Sequence, residues 1–195
     1  FQEKVSPDQA TFVSILEACS MQESINDGMK LHKDITFIGF DSNILVNTSL
    51  LNMYAKCNNM EHAWKVFETV TIHDIVSWNA LLTGYIDHGL VVEGVECFAQ
   101  LQSEDKIFPN AVTFVAILKA CSNQRDLERG YRLHSEIVQD GFEEESFVGT
   151  SLMRMYATFG HFLEVQDVFY DLPNRDVISW TALVAGCVSG EDTIK

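Results

Sequence analysis

One hydrophobic spacing occurs six times along the chain. Apolar residues fall at i, i+3, i+4 and i+7 in Phe12, Ile15, Leu16, Cys19; in Leu50, Met53, Tyr54, Cys57; and in Trp78, Leu81, Leu82, Tyr85. The series then repeats as Phe114, Ile117, Leu118, Cys121; Leu152, Met155, Tyr156, Phe159; and Trp180, Leu183, Val184, Cys187. This is the signature of one face of an α-helix. A second helical stripe follows each complete instance, as in Ala63, Val66, Phe67, Val70 and its counterpart Val165, Val168, Phe169, Leu172. Short breaks at Asn58-Asn59, His88-Gly89 and Gly160-His161 separate the stripes and suit helix–helix turns. Gly39 and Gly141 suit left-handed helix ends, and Pro7 and Pro109 fall where a proline cannot continue a helix. No run alternates with period 2, so no sheet is predicted.

The pattern therefore predicts tandem helical hairpins. One hairpin cannot bury both of its apolar stripes, whereas stacked neighbours can. The predicted fold is all-α: an α-solenoid, a right-handed superhelix of helix-turn-helix repeats with a long concave face. The segment Asp74-Ile75-Val76-Ser77-Trp78-Asn79-Ala80-Leu81 returns at Asp176-Val177-Ile178-Ser179-Trp180-Thr181-Ala182-Leu183, an offset of 102 residues. Thr11-Phe12 against Thr113-Phe114, Leu31-His32 against Leu133-His134 and Met53-Tyr54-Ala55 against Met155-Tyr156-Ala157 keep that offset. A register held without a slip indicates a duplicated block. Each block divides into hairpins of 35, 31 and 36 residues: 9–43, 44–74 and 75–110, then 111–145, 146–176 and an incomplete unit over 177–195.

Composition narrows the chemistry. Apolar residues make up 47% of the 195, and three prolines occur, which argues against disorder. No apolar run approaches the length needed to span a bilayer, so no membrane partner is expected. The chain opens on Phe1 without a basic or Ser-rich leader, and we expect it to be part of a longer protein. The five cysteines form no Cys-x-x-Cys pair and sit in apolar helical patterns, as reduced core residues do. The histidines lack metal-ligand spacing. No Gly-rich phosphate loop, Ser-His-Asp set or paired-carboxylate arrangement is present, so neither an enzyme nor a cofactor is expected. The net charge of −15 runs against the basic surface usual for phosphate binding.

Several motifs carry a family resemblance. The segment from Ile75 to Tyr85 (Ile-Val-Ser-Trp-Asn-Ala-Leu-Leu-Thr-Gly-Tyr) is similar to the usual first helix of the pentatricopeptide repeat (PPR) family. Leu118-Lys119-Ala120-Cys121 and Gly130-Tyr131-Arg132-Leu133-His134 resemble its long (L) motif. Met53-Tyr54-Ala55-Lys56-Cys57, Val66-Phe67 and Asp74 resemble its short (S) motif. The alternating lengths match the plant PLS subclass, giving a single array over residues 1–195: L 9–43, S 44–74, P 75–110, L 111–145, S 146–176 and a partial P 177–195.

That resemblance implies single-stranded RNA binding at one base per repeat. The setting would be a plastid or mitochondrion, as the recognition module of an RNA-processing or C-to-U editing factor. Implied partners are RNA and other RNA-processing or editing proteins. The family reads each base with the fifth and last residues of a motif. Here the fifth residues are Val13, Thr48, Asn79, Val115, Thr150 and Thr181, and the last are Asn43, Asp74, Asn110, Glu145 and Asp176. Apolar second residues would sandwich the bases: Ala10, Leu45, Val76, Val112, Phe147 and Ile178. Thr with Asp supplies a hydroxyl and a carboxylate, which suits the N–H donors of guanine, and Asn with Asn suits a pyrimidine. Val13 and Val115 cannot hydrogen-bond a base. The implied target is 5′-N-G-(C/U)-N-G-3′.

Plainer readings stand beside these. Thr48, Thr150, Asp74 and Asp176 could cap helices. Trp78 and Trp180 head core stripes rather than offering stacking platforms. His134-Ser135-Glu136 resembles part of a zinc-deaminase segment, yet no Pro-Cys-x-x-Cys accompanies it. Glu143-Glu144-Glu145 reads as a solvated turn. The alternative function is a protein–protein interaction scaffold, to which the negative charge would bring basic partners.

Overall fold

The structure, a computed structural model, describes residues 7–70 and 73–191. It consists of α-helices joined by short turns, with no strand among the described residues. The chain divides into two units between Leu90 and Val91. The first unit holds α1 (Gln9–Met21), α2 (Ile25–Ile38), α3 (Ile44–Lys56), α4 (Met60–Thr69) and α5 (Ile75–Asp87). The second holds α6 (Val91–Gln102), α7 (Ala111–Gln124), α8 (Leu127–Gln139), α9 (Ser146–Thr158), α10 (Phe162–Asp171) and α11 (Val177–Glu191). Residues 192–195, the end of the partial P repeat, lie outside the described residues.

The turns follow from backbone sterics. Gly39, Gly89, Gly141 and Gly160 adopt φ between 75° and 89°. That left-handed region costs a residue with Cβ about 1–2 kcal/mol. Asn58, Glu23 and Arg125 occupy the same region at φ 55°, 50° and 54°, and nothing in the sequence flags the last two.

Within the first unit α1 packs on α3 and α3 on α5, so the first helices of successive hairpins form a row. The second helices back that row: α2 lies against α1 and α3, and α4 against α3 and α5. The second unit repeats the plan with α7, α9 and α11 in the row, α8 and α10 behind it, and α6 against α7. Matched core pairs show how closely the duplication extends to packing. Phe12–Phe40 and Phe114–Phe142 ring centroids both lie 5.3 Å apart. Phe67–Trp78 and Phe169–Trp180 both meet edge-on at 4.7 Å. Where His73 stacks on Phe67, Arg175 places its guanidinium over Phe169. Tyr54 and Tyr156 are fully buried, and their hydroxyls meet Nδ1 of His32 and His134, each at 2.8 Å. Burial lowers the pKa of both imidazoles. The His62 charge adds to the effect at His32, and Asp171 partly offsets it at His134.

Gly28 on α2 and Gly130 on α8 permit close approach. A Cβ at Gly28 would lie 2.3 Å from Met53 Sδ, and one at Gly130 would lie 2.5 Å from Met155 Sδ. Both methionines are fully buried. The glycines therefore form notches that seat a side chain of the next hairpin.

Two core expectations need correction. Trp78 is buried, but Trp180 is 54% exposed, as is Val184 beside it at 60%. Their stripe lies on α11, the last described helix, and a hairpin's stripe is fully covered only between two neighbours. Ile15 on α1 is exposed for the same reason at the other end. Cys19, Cys97 and Cys121 are buried, whereas Cys57 is half-buried and Cys187 is exposed; all five are free thiols.

Candidate nucleic-acid interface

The N-termini of the row helices bring most of the sequence-nominated residues together. An N-cap side chain accepts the orphan backbone N–H groups of a first turn, which short polar residues do best. Asn43 accepts from Val46 N at 3.1 Å, Asp74 from Ser77 N at 2.8 Å, Asn110 from Thr113 N at 3.1 Å and Asp176 from Ser179 N at 2.8 Å. The Asp74 and Asn110 sites are reciprocal, with Ser77 Oγ and Thr113 Oγ1 accepting from the cap backbone. Glu145 holds the same place before α9 and makes no capping bond. Each last-of-repeat residue thus stands at the N-cap position of the next hairpin, and all but Glu145 cap it with a side-chain bond. Asn43 Nδ2 also donates to Gln9 Oε1 at 2.8 Å, tying the starts of α1 and α3 together.

The fifth residues sit one turn further in and are not caps. Thr48, Thr150 and Thr181 donate their hydroxyl protons to the carbonyls of Ile44, Ser146 and Val177, at 2.9, 2.7 and 2.6 Å. A hydroxyl spent in this way presents its oxygen as an acceptor. Thr48 and Asp74 line one narrow recess between α3 and α5, together with Asn47 and Ser77. Asn79 is far less accessible, with 8% of its surface exposed. Val13 and Val115 are half-buried, and each lines a cleft between neighbouring row helices.

The second residues of the row helices are all exposed although they are apolar. Leu45, Val76, Val112, Phe147 and Ile178 are 60%, 53%, 56%, 75% and 54% exposed, and Ala10 is exposed as well. Each precedes its repeat's fifth residue by three positions, which puts the two on one helix face. Every row helix therefore presents an uncovered apolar side chain beside its fifth residue, next to the cap. Such a recurrence is not needed for the core.

Other chemistry is sparse. Among the described residues no cluster of His, Cys, Asp or Glu could hold a metal ion, and no helix is long and apolar enough to cross a membrane. Burial pushes the Cys97 thiol up to about 12 and the Cys121 thiol to about 11, so neither forms a thiolate near neutral pH. Glu143 of the acidic run is half-buried, while Glu144 and Glu145 are exposed.

Within each unit, hairpins stacked in register, with an exposed apolar residue recurring beside the N-cap position, define a helical-repeat protein. The PPR repeat family profile matches residues 73–123, and the PPR repeat profile matches residues 48–70 and 112–142. Among curated relatives, the chloroplastic pentatricopeptide repeat-containing protein At4g18520 of Arabidopsis thaliana is 31% identical over 94% of this chain and 30% of its own length. The mitochondrial At3g53360 of the same plant is 30% identical over 90% of this chain and 23% of its length. The chain thus spans less than a third of either relative. Solved structures of the maize pentatricopeptide repeat protein PPR10 share the fold. The first has a TM-score of 0.66 at 21% identity, covering 92% of this chain and 26% of that one. PPR10 bound to an 18-nt psaJ RNA element gives 0.73 at 20% identity, covering 94% and 26%. The chain belongs to the pentatricopeptide repeat family.

Proposed function

We propose that this chain is a single PPR array that binds single-stranded RNA, one base per hairpin, within an organellar RNA-processing or C-to-U editing factor of the PLS subclass. One observation carries the reading: an exposed apolar side chain at the second position of each row helix, three residues before the fifth residue and next to the cap. Stacking a base on an aromatic ring such as Phe147 is worth about 1–3 kcal/mol and tolerates any sequence, and the aliphatic second residues bury base surface in the same sequence-tolerant way. The polar pair beside it then discriminates. Thr48 with Asp74 and Thr150 with Asp176 combine a hydroxyl acceptor and a carboxylate acceptor, which matches the N–H donors of guanine. Asn79 with Asn110 is assigned to a pyrimidine. Val13 with Asn43 and Val115 with Glu145 discriminate little, and Thr181 begins a further site. The RNA complex of PPR10 and the chloroplastic and mitochondrial names of the relatives support the RNA partner and the organelle.

The test is fluorescence anisotropy with RNAs carrying 5′-N-G-C-N-G-3′ or a scrambled order. The ordered RNA should bind more tightly, and Thr48→Asn should abolish the guanine preference at the second base while leaving the fifth alone. An unaltered second-base preference would show the mapping to be wrong. The net charge of −15 favours a second reading, a scaffold for basic protein partners. Failure to bind either RNA, with capture of a basic peptide along the row, would favour it.

A further inference from the structure

The duplication holds in the core and fails on the back of the second unit. On α10 the exposed positions are Leu163, Asp167, Tyr170 and Asp171, an i, i+4, i+7, i+8 stripe on one helix face. Their counterparts on α4, 102 residues earlier, are Glu61, Lys65, Glu68 and Thr69, and these are exposed too. On α4 the stripe is what solvent favours: the Lys65 ammonium pairs with the Glu61 carboxylate across one turn. On α10 the glutamates have become Leu163 and Tyr170, 72% and 64% exposed, and the lysine has become Asp167. α8 has changed in the same direction. Tyr131 and Val138, at i and i+7, are 39% and 49% exposed and stand where α2 has Met29 and Thr36.

These side chains frame one groove. No Cα atom of α8 comes within 8 Å of one on α10 among the described residues, so side chains alone bridge the two helices. At one end Tyr131 Oη donates to Glu164 Oε1 at 2.7 Å and lies 3.0 Å from His161 Nδ1. Towards the other end, the Asp171 carboxylate acts on the His134 imidazole. α8 and α10 therefore run side by side in the same direction. Tyr131 and Val138 lie along one bank and Leu163 and Tyr170 along the other, each pair spanning about 10 Å of its helix axis. Arg175 closes the far end, its guanidinium bonded to the carbonyls of Phe169 and Tyr170 and held over both rings.

Apolar side chains held in water at i and i+7 on neighbouring parallel helices complement the apolar face of an amphipathic helix. The flanking charge selects among occupants. Asp167 and Asp171 repel the phosphates of RNA. A second copy related by a two-fold axis would bring the two acidic stripes together, in a chain already at −15. We infer that the α8–α10 groove docks a basic amphipathic helix of a partner protein, with apolar residues set between Tyr131, Val138, Leu163 and Tyr170 and Lys or Arg against Asp167 and Asp171. The back of α2 and α4 does not. The inference concerns the back of the second unit and does not rest on the RNA-binding reading of the row.

The probe is a fluorescein-labelled peptide of about four helical turns, with Leu at i, i+3, i+4 and i+7 and Lys elsewhere. Its twin carries Glu in place of Lys. By fluorescence anisotropy the whole chain should bind the lysine peptide and not the glutamate one. Leu163→Glu/Tyr170→Glu restores the first unit's residues at exposed positions and should weaken binding more than about tenfold. Mere attraction to negative charge predicts the opposite sign, because this variant adds carboxylates. Asp167→Lys should weaken binding about three- to tenfold, and less so as salt is raised. Amide resonances of α8 and α10 should move on binding, and those of α2 and α4 should stay. Far-UV circular dichroism should confirm that both variants fold.

Equal or tighter binding by the double variant, equal binding of the glutamate twin, or shifts confined to α2 and α4 overturns the inference. A dimer in analytical ultracentrifugation that Leu163→Glu/Tyr170→Glu dissolves assigns the groove to a second copy and overturns it. RNA that shifts the same α8 and α10 resonances, or no binding of the lysine peptide, overturns it as well.

Discussion

Asp74 carries two duties that a pair of substitutions can separate. As a cap, its Oδ1 accepts from Ser77 N at 2.8 Å, and Ser77 is buried. As the proposed reader, the same carboxylate accepts from guanine. Asp74→Ala removes both. The cap is worth about 0.5–2 kcal/mol, and a buried Ser77 N–H left without its acceptor places the loss in the upper half of that range. Taking about 1.5 kcal/mol and an m-value of about 2 kcal/mol/M, the urea midpoint should fall by about 0.7 M. Asp74→Asn behaves differently. Asn110 already caps α7 through a reciprocal bond with Thr113, so an amide fits this geometry. Only the attraction of a charge to the helix N-terminus is lost, about 0.3–1 kcal/mol and screened at an exposed site. Base preference should nonetheless move from guanine toward adenine, because an amide can donate to adenine N1 as a carboxylate cannot. Discrimination of about 1–3 kcal/mol corresponds to about 5-fold to 150-fold in relative affinity. Urea unfolding followed by circular dichroism and competition binding with G- and A-substituted RNAs read the two duties independently. If Asp74→Asn destabilises as much as Asp74→Ala, the capping argument fails; if it keeps the guanine preference, the reading argument fails.

Two further predictions concern the core. Trp78→Ala should cost about 3–5 kcal/mol, as for a buried aromatic, whereas Trp180→Ala at its half-exposed counterpart should cost less than about half of that by the same urea assay. His32 and His134 have pKa values lowered by burial, so below about pH 6.5 the unfolded chain binds more protons than the folded one. The stability they contribute is present above that pH and is lost as the pH falls toward the folded-state values. The urea midpoint should drop between about pH 7 and pH 5, and His32→Gln/His134→Gln should reduce the drop; an equal drop in both proteins would exclude the imidazoles as its source.

Much of the fold could be read from spacing alone. The i, i+3, i+4, i+7 stripes correspond to α1, α3, α5, α7, α9 and α11, and the polar and glycine breaks to left-handed turns. Periodicity reports which face is apolar but not whether a neighbour covers it. That is why Trp180 and Cys187 read as core while they are exposed. The turns at Glu23 and Arg125 were invisible because neither residue type favours positive φ. The rim was legible only through family resemblance. Composition gives no reason to expect Leu45 or Phe147 in solvent, since an apolar residue in a helix is ordinarily assigned to the core.

The glycine notches bear on something other than stability. Because Gly28 and Gly130 lack a side chain, α2 settles on α3, and α8 on α9, as far as the buried Met53 and Met155 allow. Two missing methyl groups therefore act as the gauge of the stride between hairpins. Under the proposed reading of one base per hairpin, that stride must equal the step of the strand, and an alanine there would put the ruler out of scale while leaving every proposed base-reading residue unchanged.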